Sequence, residues 1–287
     1  MNYKIISHYQ SNDSLRRSFN ELAEKTFGLS FETWYKNGFW RDKYIPYSIL
    51  SENKIIANVS VNLIDCHIKG HLLHYIQLGT VMTDEAFRGQ GLSRMLMERI
   101  LSDYAGCDGI FLYANDSVVN FYPKFGFQKA QEFRFRTKIH TEASPCVQQV
   151  PMNSAEDFEA FLKIKQSHLS RSAIRTDTDD LLMFYLTQFM QECVYKVNDR
   201  DCYLIAEQDG DTLTLFDILS NEPIEPSEAG HFFGAGIKEV HFAFVPENTA
   251  GLEKYLYQEE DTTFFVLGDT LINHLPDILS FPALVHA

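Results

Sequence analysis

Six residues, Arg88-Gly89-Gln90-Gly91-Leu92-Ser93, have the types and spacing to hold a diphosphate. Gly89 and Gly91 let the main chain turn sharply and bring N–H groups close to an anion. A helical pattern opens at Leu92, so its first free N–H groups and its dipole would favour negative charge at the same place. A lone Gly-x-Gly marks ordinary turns about as often as phosphate sites. Here a β-rich run, residues 76–83, precedes it and a helical run succeeds it. A second group of residues lies downstream, after the short apolar run 109–114: Asn115, Tyr122 and the pair Gly126-Phe127.

Together these two blocks resemble the GNAT acyl-CoA N-acyltransferases. The signature of that family is Arg/Gln-x-x-Gly-x-Gly/Ala for the pyrophosphate, an Asn seven residues before a Tyr, and a Gly-Phe close behind. This chain has Arg88-x-x-Gly91-x-Ser93, Asn115 seven residues before Tyr122, and Gly126-Phe127. Ser93 is the departure, a small side chain where Gly or Ala is usual. The resemblance covers about residues 1–140. It implies acetyl-CoA as acyl donor, a small-molecule amine as acceptor and no metal.

By the same resemblance, Val81, Met82 and Thr83 would offer backbone groups to the pantetheine arm. The N–H groups of Arg88, Gly89, Gln90, Gly91, Leu92 and Ser93 would hold the pyrophosphate, with charge added by Arg88 and Arg94. Asn115 would bond the pantetheine amide, although it suits a helix N-cap equally well. Arg94 equally suits an exposed helix surface. Tyr122 is the expected general acid, since a neutral phenol can protonate a departing thiolate. Packing against Phe125 and Phe127 is its alternative. A backbone N–H near residues 81–83 would stabilise the oxyanion.

The base is less well marked. Relatives often carry a carboxylate on the strand before the loop, yet residues 72–83 contain no Asp or Glu. His74, Tyr75 and Gln77 are the polar side chains there, and a water chain or the carboxylate of Ala287 are further options. No cysteine lies in either block, which favours direct attack by the amine over a covalent intermediate. Non-catalytic acyl-CoA sensing and modification of proteins or peptides are the competing functions.

The elements that must position these residues are read from periodicity. Residues 13–27 read as a helix closed by Gly28, with a short second helix after Ser30. Strands are expected over 45–50, 55–68 and 72–83, then a helix from Leu92 with Leu96, Ile100 and Met95 on its apolar face. Strand 109–114, helix 117–124 and strand 127–139 complete an α/β arrangement, a mixed sheet with helices on both faces. Seven aromatic residues (Phe31, Trp34, Tyr35, Phe39, Trp40, Tyr44 and Tyr47) could wall an acceptor pocket, but core packing is the favoured reading.

Residues 141–153, with Pro145 and Pro151, read as a linker between a GNAT domain at 1–140 and a smaller, degenerate GNAT-like domain at 154–287. Its expected elements are helices 154–169 and 177–191, a hairpin of strands 202–208 and 211–218, a short helix 227–233, strand 239–244, helix 252–257 and strand 263–267. Where a phosphate loop would fall, residues 219–227 carry Glu222 and Glu225 and no glycine motif. One CoA site per chain is therefore expected.

Bulk properties set limits. The 287 residues carry a net charge of −14, unevenly spread. Residues 1–145 hold 17 Lys and Arg against 15 Asp and Glu, whereas residues 146–287 hold 8 against 24. The acidic second half argues against nucleic-acid binding and suits either a solvated surface or attraction of a cationic amine. The apolar stretch 55–64 is interrupted by Asn58, Ser60 and Asn62, so it does not read as a membrane span. Five cysteines without metal or disulfide spacing fit a cytoplasmic protein.

Overall fold

A computed structural model describes residues 3–167 and 172–286. In chain order the elements are β1 (Lys4–Ser7), α1 (Asp13–Phe27), α2 (Glu32–Lys36), β2 (Tyr44–Ser51), β3 (Lys54–Ile68), β4 (His71–Thr83), α3 (Leu92–Asp103) and β5 (Gly109–Ala114). Then come β6 (Gln128–Lys129), β7 (Glu132–Lys138), β8 (Val147–Gln149), α4 (Ala155–Ser167), β9 (Ile174–Thr176), α5 (Asp179–Gln188) and β10 (Val194–Val197). The remainder is β11 (Cys202–Asp209), β12 (Thr212–Ser220), α6 (Pro226–Ala229), β13 (Glu239–Phe242), β14 (Glu253–Tyr257), β15 (Thr263–Leu267) and α7 (Asp269–Ile278).

Local chemistry explains the clearest of these. Asn12 caps α1, its side-chain oxygen accepting from the N–H groups of Ser14 and Leu15. Gly28 ends the helix at φ 71°, bonding back to Glu24 O. Phe19, Leu22 and Ala23 share the buried face between those ends. In α3 the buried face is Leu92, Leu96, Met97 and Ile100; Met95, placed on that face from sequence, is exposed instead.

The strands form two mixed sheets. The first has the order β1-β2-β3-β4-β5-β15-β6, with β9 added beside β3. The second runs β14-β7-β13-β12-β11-β10-β8. Each contains a parallel pair at its centre, β4 with β5 and β12 with β13, with antiparallel neighbours on either side. The two halves therefore share one design, a mixed α/β layering.

Chain order and sheet membership part company at residue 130. The run 127–139, expected as one strand closing the first sheet, breaks in two. β6 stays in that sheet, and β7 pairs with β13 and β14 of the second. The place this leaves beside β5 is taken by β15, from near the end of the chain, with Phe265 opposite Leu112. Phe265 and Val266 are buried there, so the first sheet is completed by residues far along the sequence.

Other expectations also change. Residues 252–257 form strand β14, not a helix: Tyr255 and Tyr257 lie on one side, half-buried against Arg136 and Arg134, while Leu256 is exposed. Residues 117–124 form two tight 3-10 turns, because Pro123 lacks the N–H an α-helix needs. The stretch 141–153 contains β8, which pairs with β10. Strand β9 and helix α7 are additions to the elements expected from sequence. The aromatic residues of 31–47 are core: Phe31 stacks on Phe184 of α5 at 4.9 Å, and Trp34 Nε1 donates to Asp180 O at 2.7 Å.

Candidate active site

The site begins where two strands stop pairing. β4 and β5 are in register from Tyr75–Gly109 to Leu78–Leu112 and no further. Just beyond, β4 carries an extra residue relative to β3: Met82 faces Asn58, but Gly79 faces Ser60. Within this bulge Thr80 has φ 48°, a conformation that costs a β-branched residue about 1–3 kcal/mol. Hydrogen bonds hold it. The Tyr44 hydroxyl shares one with Thr80 Oγ1 at 2.7 Å, and Asn58 Nδ2 donates to Thr80 O at 2.9 Å.

Asn58 is itself fully buried, donating to Ser60 Oγ at 2.9 Å and accepting from Ser48 Oγ at 2.8 Å. Ser48 continues the chain of bonds to the Tyr9 hydroxyl at 2.6 Å. A connected, satisfied polar network of this kind fixes one arrangement of the backbone. Two of the polar interruptions in the apolar stretch 55–64 are thus part of the frame that bends β4 away from β5. The sequence holds that signal, small polar residues at alternate positions of a buried strand, and treating them only as breaks in hydrophobicity overlooks it.

The bend opens a cleft of about 730 Å³. Val81, Met82 and Thr83 form one wall, and Arg88, Gly89, Gly91, Leu92, Ser93 and Arg94 form its end. Gly89 and Gly91 have φ 75° and 76°, and an added Cβ would meet nothing within 4 Å at either. Glycine is required there by dihedral angle, not by crowding. Gly91 caps α3, whose first backbone N–H bonded back is that of Met95, to Gly91 O at 3.0 Å. The N–H groups of the first turn have no partner within the helix.

Ser93 ties that turn to the strand, sharing a hydrogen bond with Thr83 Oγ1 at 2.9 Å. Arg88, Arg94 and Lys124 bring three cations to the lining, which holds no carboxylate. Arg94 also meets Glu98 at 3.2 Å on the helix surface. Lys124 is not marked by the sequence motifs; it enters through the 3-10 turn Tyr122–Phe125.

Tyr122 lines the same cleft and is 3% exposed. Its ring packs on Phe127 and Phe265, so the packing role is real. Among the described residues its hydroxyl has no hydrogen-bond partner, and burial pushes its pKa up to about 12. The phenol is therefore neutral and keeps its proton across the ordinary pH range.

Other candidates lie elsewhere. Gln90 is not in the lining; its Oε1 accepts from the Tyr3 hydroxyl at 2.6 Å. Asn115 is exposed and also outside it, its Nδ2 donating to Asp261 Oδ2 at 3.0 Å. His74 is at the far end of β4, exposed and bonded to Asp65, whose carboxyl this contact holds below its usual pKa. That position removes His74 as a base for this cleft. Tyr75 and Gln77 are buried on the opposite sheet face, Gln77 accepting from Asn62. Ala287 lies outside the described residues. Among those residues no three His, Cys, Asp or Glu side chains gather as a metal site would need.

Residues 43–129, which include the bulge, the glycine loop and Tyr122, match the family model of the acetyltransferase (GNAT) domain. The chain carries a GNAT acetyltransferase domain. Solved structures resemble it along most of its length. A probable N-acyltransferase from Enterococcus faecalis V583 superposes with TM-score 0.59 at 11% identity, over 96% of this chain and 75% of that one. GCN5-related N-acetyltransferases from Kribbella flavida and Anabaena variabilis both reach 0.56, at 13% and 16% identity. Each covers 92% of this chain, and 71% and 72% of their own. Identities this low speak for fold, and the fold they share includes both sheets. No curated protein matches the sequence. Within the GNAT domain, the splayed strands and the glycine loop form one cleft.

Proposed function

We propose that the GNAT domain transfers an acetyl group from acetyl-CoA to a primary amine of a small molecule by direct attack. One observation carries this reading: a single cleft gathers a strand edge released from pairing, a helix N-terminus behind two left-handed glycines, three cations and a neutral tyrosine. The N–H groups of residues 89–93 and the charges of Arg88, Arg94 and Lys124 suit a diphosphate. The backbone of Val81–Thr83 suits the amides of a pantetheine arm and the oxyanion of the attacked carbonyl. Asn115 would assist at the β5 edge through its carbonyl oxygen, its amide being held by Asp261.

In the step itself the amine adds to the thioester carbonyl and the carbon–sulfur bond breaks. Tyr122 gives its proton to the departing thiolate, and water takes the proton that the amine loses. The lining offers no carboxylate as base and no cysteine as a relay for the acyl group. The five unpaired cysteines suit a reducing cytoplasm. In this reading residues 1–140, whose sheet β15 completes, carry the catalysis, and residues 154–287, whose sheet β7 and β8 join, bind no CoA.

The test is thiol release from acetyl-CoA in the presence of amino acids, polyamines, aminosugars and lysine-rich peptides. Release that depends on a small amine supports the proposal. Acetyl-CoA binding without amine-dependent release contradicts it and favours a sensor; release with peptides alone contradicts the small-molecule acceptor.

A further inference from the structure

A second cavity, about 380 Å³, lies between the second sheet and the end of the chain, away from the glycine loop. Its floor includes Arg134 of β7, which is 6% exposed. Buried arginines are ordinarily paired, since an unpaired buried charge costs several kcal/mol (about 3–5 when a partner is removed). Among the described residues no carboxylate lies within 4 Å of Arg134, and its Nε has no hydrogen-bond partner. Its guanidinium instead sits 3.3 Å from the centre of the Tyr257 ring. The carboxylate that attracts it at longer range, Glu132, is occupied, accepting from the Tyr113 hydroxyl and Ser280 Oγ at 3.0 Å each.

The rest of the lining has a clear polarity. His286 Nε2 also lacks a partner, the ring being stacked on Tyr113 and kept neutral by burial and by Arg134. Glu207 and Glu259 are exposed and mark the rim. Tyr185 and Tyr257 supply apolar walls between floor and rim. The size is that of a small-ligand site. A cation at the floor whose Nε lacks a partner, aromatic sides and carboxylates at the mouth match a molecule with its charges reversed.

We propose that this cavity binds a small organic acid that also carries a cationic amine, its carboxylate on Arg134 and its ammonium toward Glu259. The site is independent of whether the cleft at Tyr122 transfers acyl groups. It stands on β7, β13 and β14 of the second sheet, the strands that flank the exchange. A carboxylate bound to Arg134 would make charge-assisted hydrogen bonds in a dry setting.

Calorimetric titration of the full chain with amino acids and dipeptides, each compared with its C-terminal amide, tests the proposal. At least one acid should bind about tenfold or more tightly than its amide, and Arg134→Gln should abolish that preference without changing CoA affinity. Glu259→Gln, an exposed change that leaves the buried floor intact, should weaken the amine-bearing acid about threefold and leave the matching acid without its amine unaffected. Acids and amides that bind alike, or no acid binding at all, would overturn the assignment. So would a preference that survives Arg134→Gln in a folded variant.

Discussion

In each sheet a parallel pair stops pairing at a bulge, and only in the first is the gap left uncovered by the chain itself. In the first, β4 bulges at Thr80, the strand edge at Val81–Thr83 is released and a glycine loop leads into α3. In the second, β12 bulges at Phe216, where Asp217 faces Ile205 but Leu215 faces Ala206. The pairing with β13 ends there as well, at Leu215 and Phe242, with Ala243 N bonding Leu215 O at 2.8 Å. The chain's own tail crosses next, Ala283 N bonding Ala243 O at 2.8 Å.

Leu284 and Val285 are buried there, so the surface that would receive a pantetheine arm is covered by protein. The loop after β12 carries Glu222, Pro223 and Glu225, and α6 is a single turn. A phosphate there would meet negative charge and a helix too short to project a dipole. The same architecture becomes a site where a glycine loop and a long helix succeed the bulge, and a scaffold where an acidic loop and the chain's tail do.

The largest effect should come from separating the halves. A chain ending at residue 140 keeps the glycine loop and Tyr122 but loses β15, exposing the β5 edge and removing Phe265 and Val266 from the core. Loss of two large buried side chains alone costs roughly 4–8 kcal/mol, comparable to the whole stability of many domains. Calorimetry should show no cooperative unfolding transition for this fragment. A well-folded fragment would mean that the exchanged strand is dispensable.

Next in size is catalysis. Tyr122→Phe keeps the ring between Phe127 and Phe265 and deletes the only proton donor assigned to the thiolate. With a reactive amine, kcat should fall about 10²-fold while CoA affinity and melting temperature stay close to wild type. Equal kcat would leave Tyr122 as a packing residue.

How much of this can be read from residues alone divides along the same line. Motifs held in one stretch are legible: the periodic run 13–27 and its closing Gly28 mark α1, and the two glycines with Tyr122 mark the cleft, whereas the Asn12 cap emerges only in the structure. Partnerships between distant stretches are not. Nothing in the apolar run 263–267 says which sheet it joins, because β-rich segments buried on both faces look alike wherever they pair. The short β14 reads as a helix because so few residues hardly separate period 2 from 3.6. Asn115 matches the motif by position, yet its amide is spent on Asp261, a contact 146 residues away in sequence.

The smallest effect concerns pH. Burial raises the Tyr122 pKa from 10.0 to about 12, so the folded state holds that proton more tightly than the unfolded chain. The stability this contributes is complete below pH 10 and is lost as pH rises toward 12. At pH 11 the loss should be about 1 kcal/mol. Urea denaturation at pH 8 and pH 11 should show the wild type losing about that much more than Tyr122→Phe. Identical losses would place Tyr122 in a wetter setting than its 3% exposure suggests.

The contrast between an open and a covered wedge is tested most directly by titrating the full chain with CoA in a calorimeter, alongside Gly91→Asp. That change puts a side chain at φ 76° and a negative charge where the proposed diphosphate site lies. One CoA per wild-type chain is expected, with affinity at least about tenfold weaker in the variant, or roughly 1.4 kcal/mol. Two CoA per chain, or unchanged affinity in a folded Gly91→Asp protein, would contradict the account.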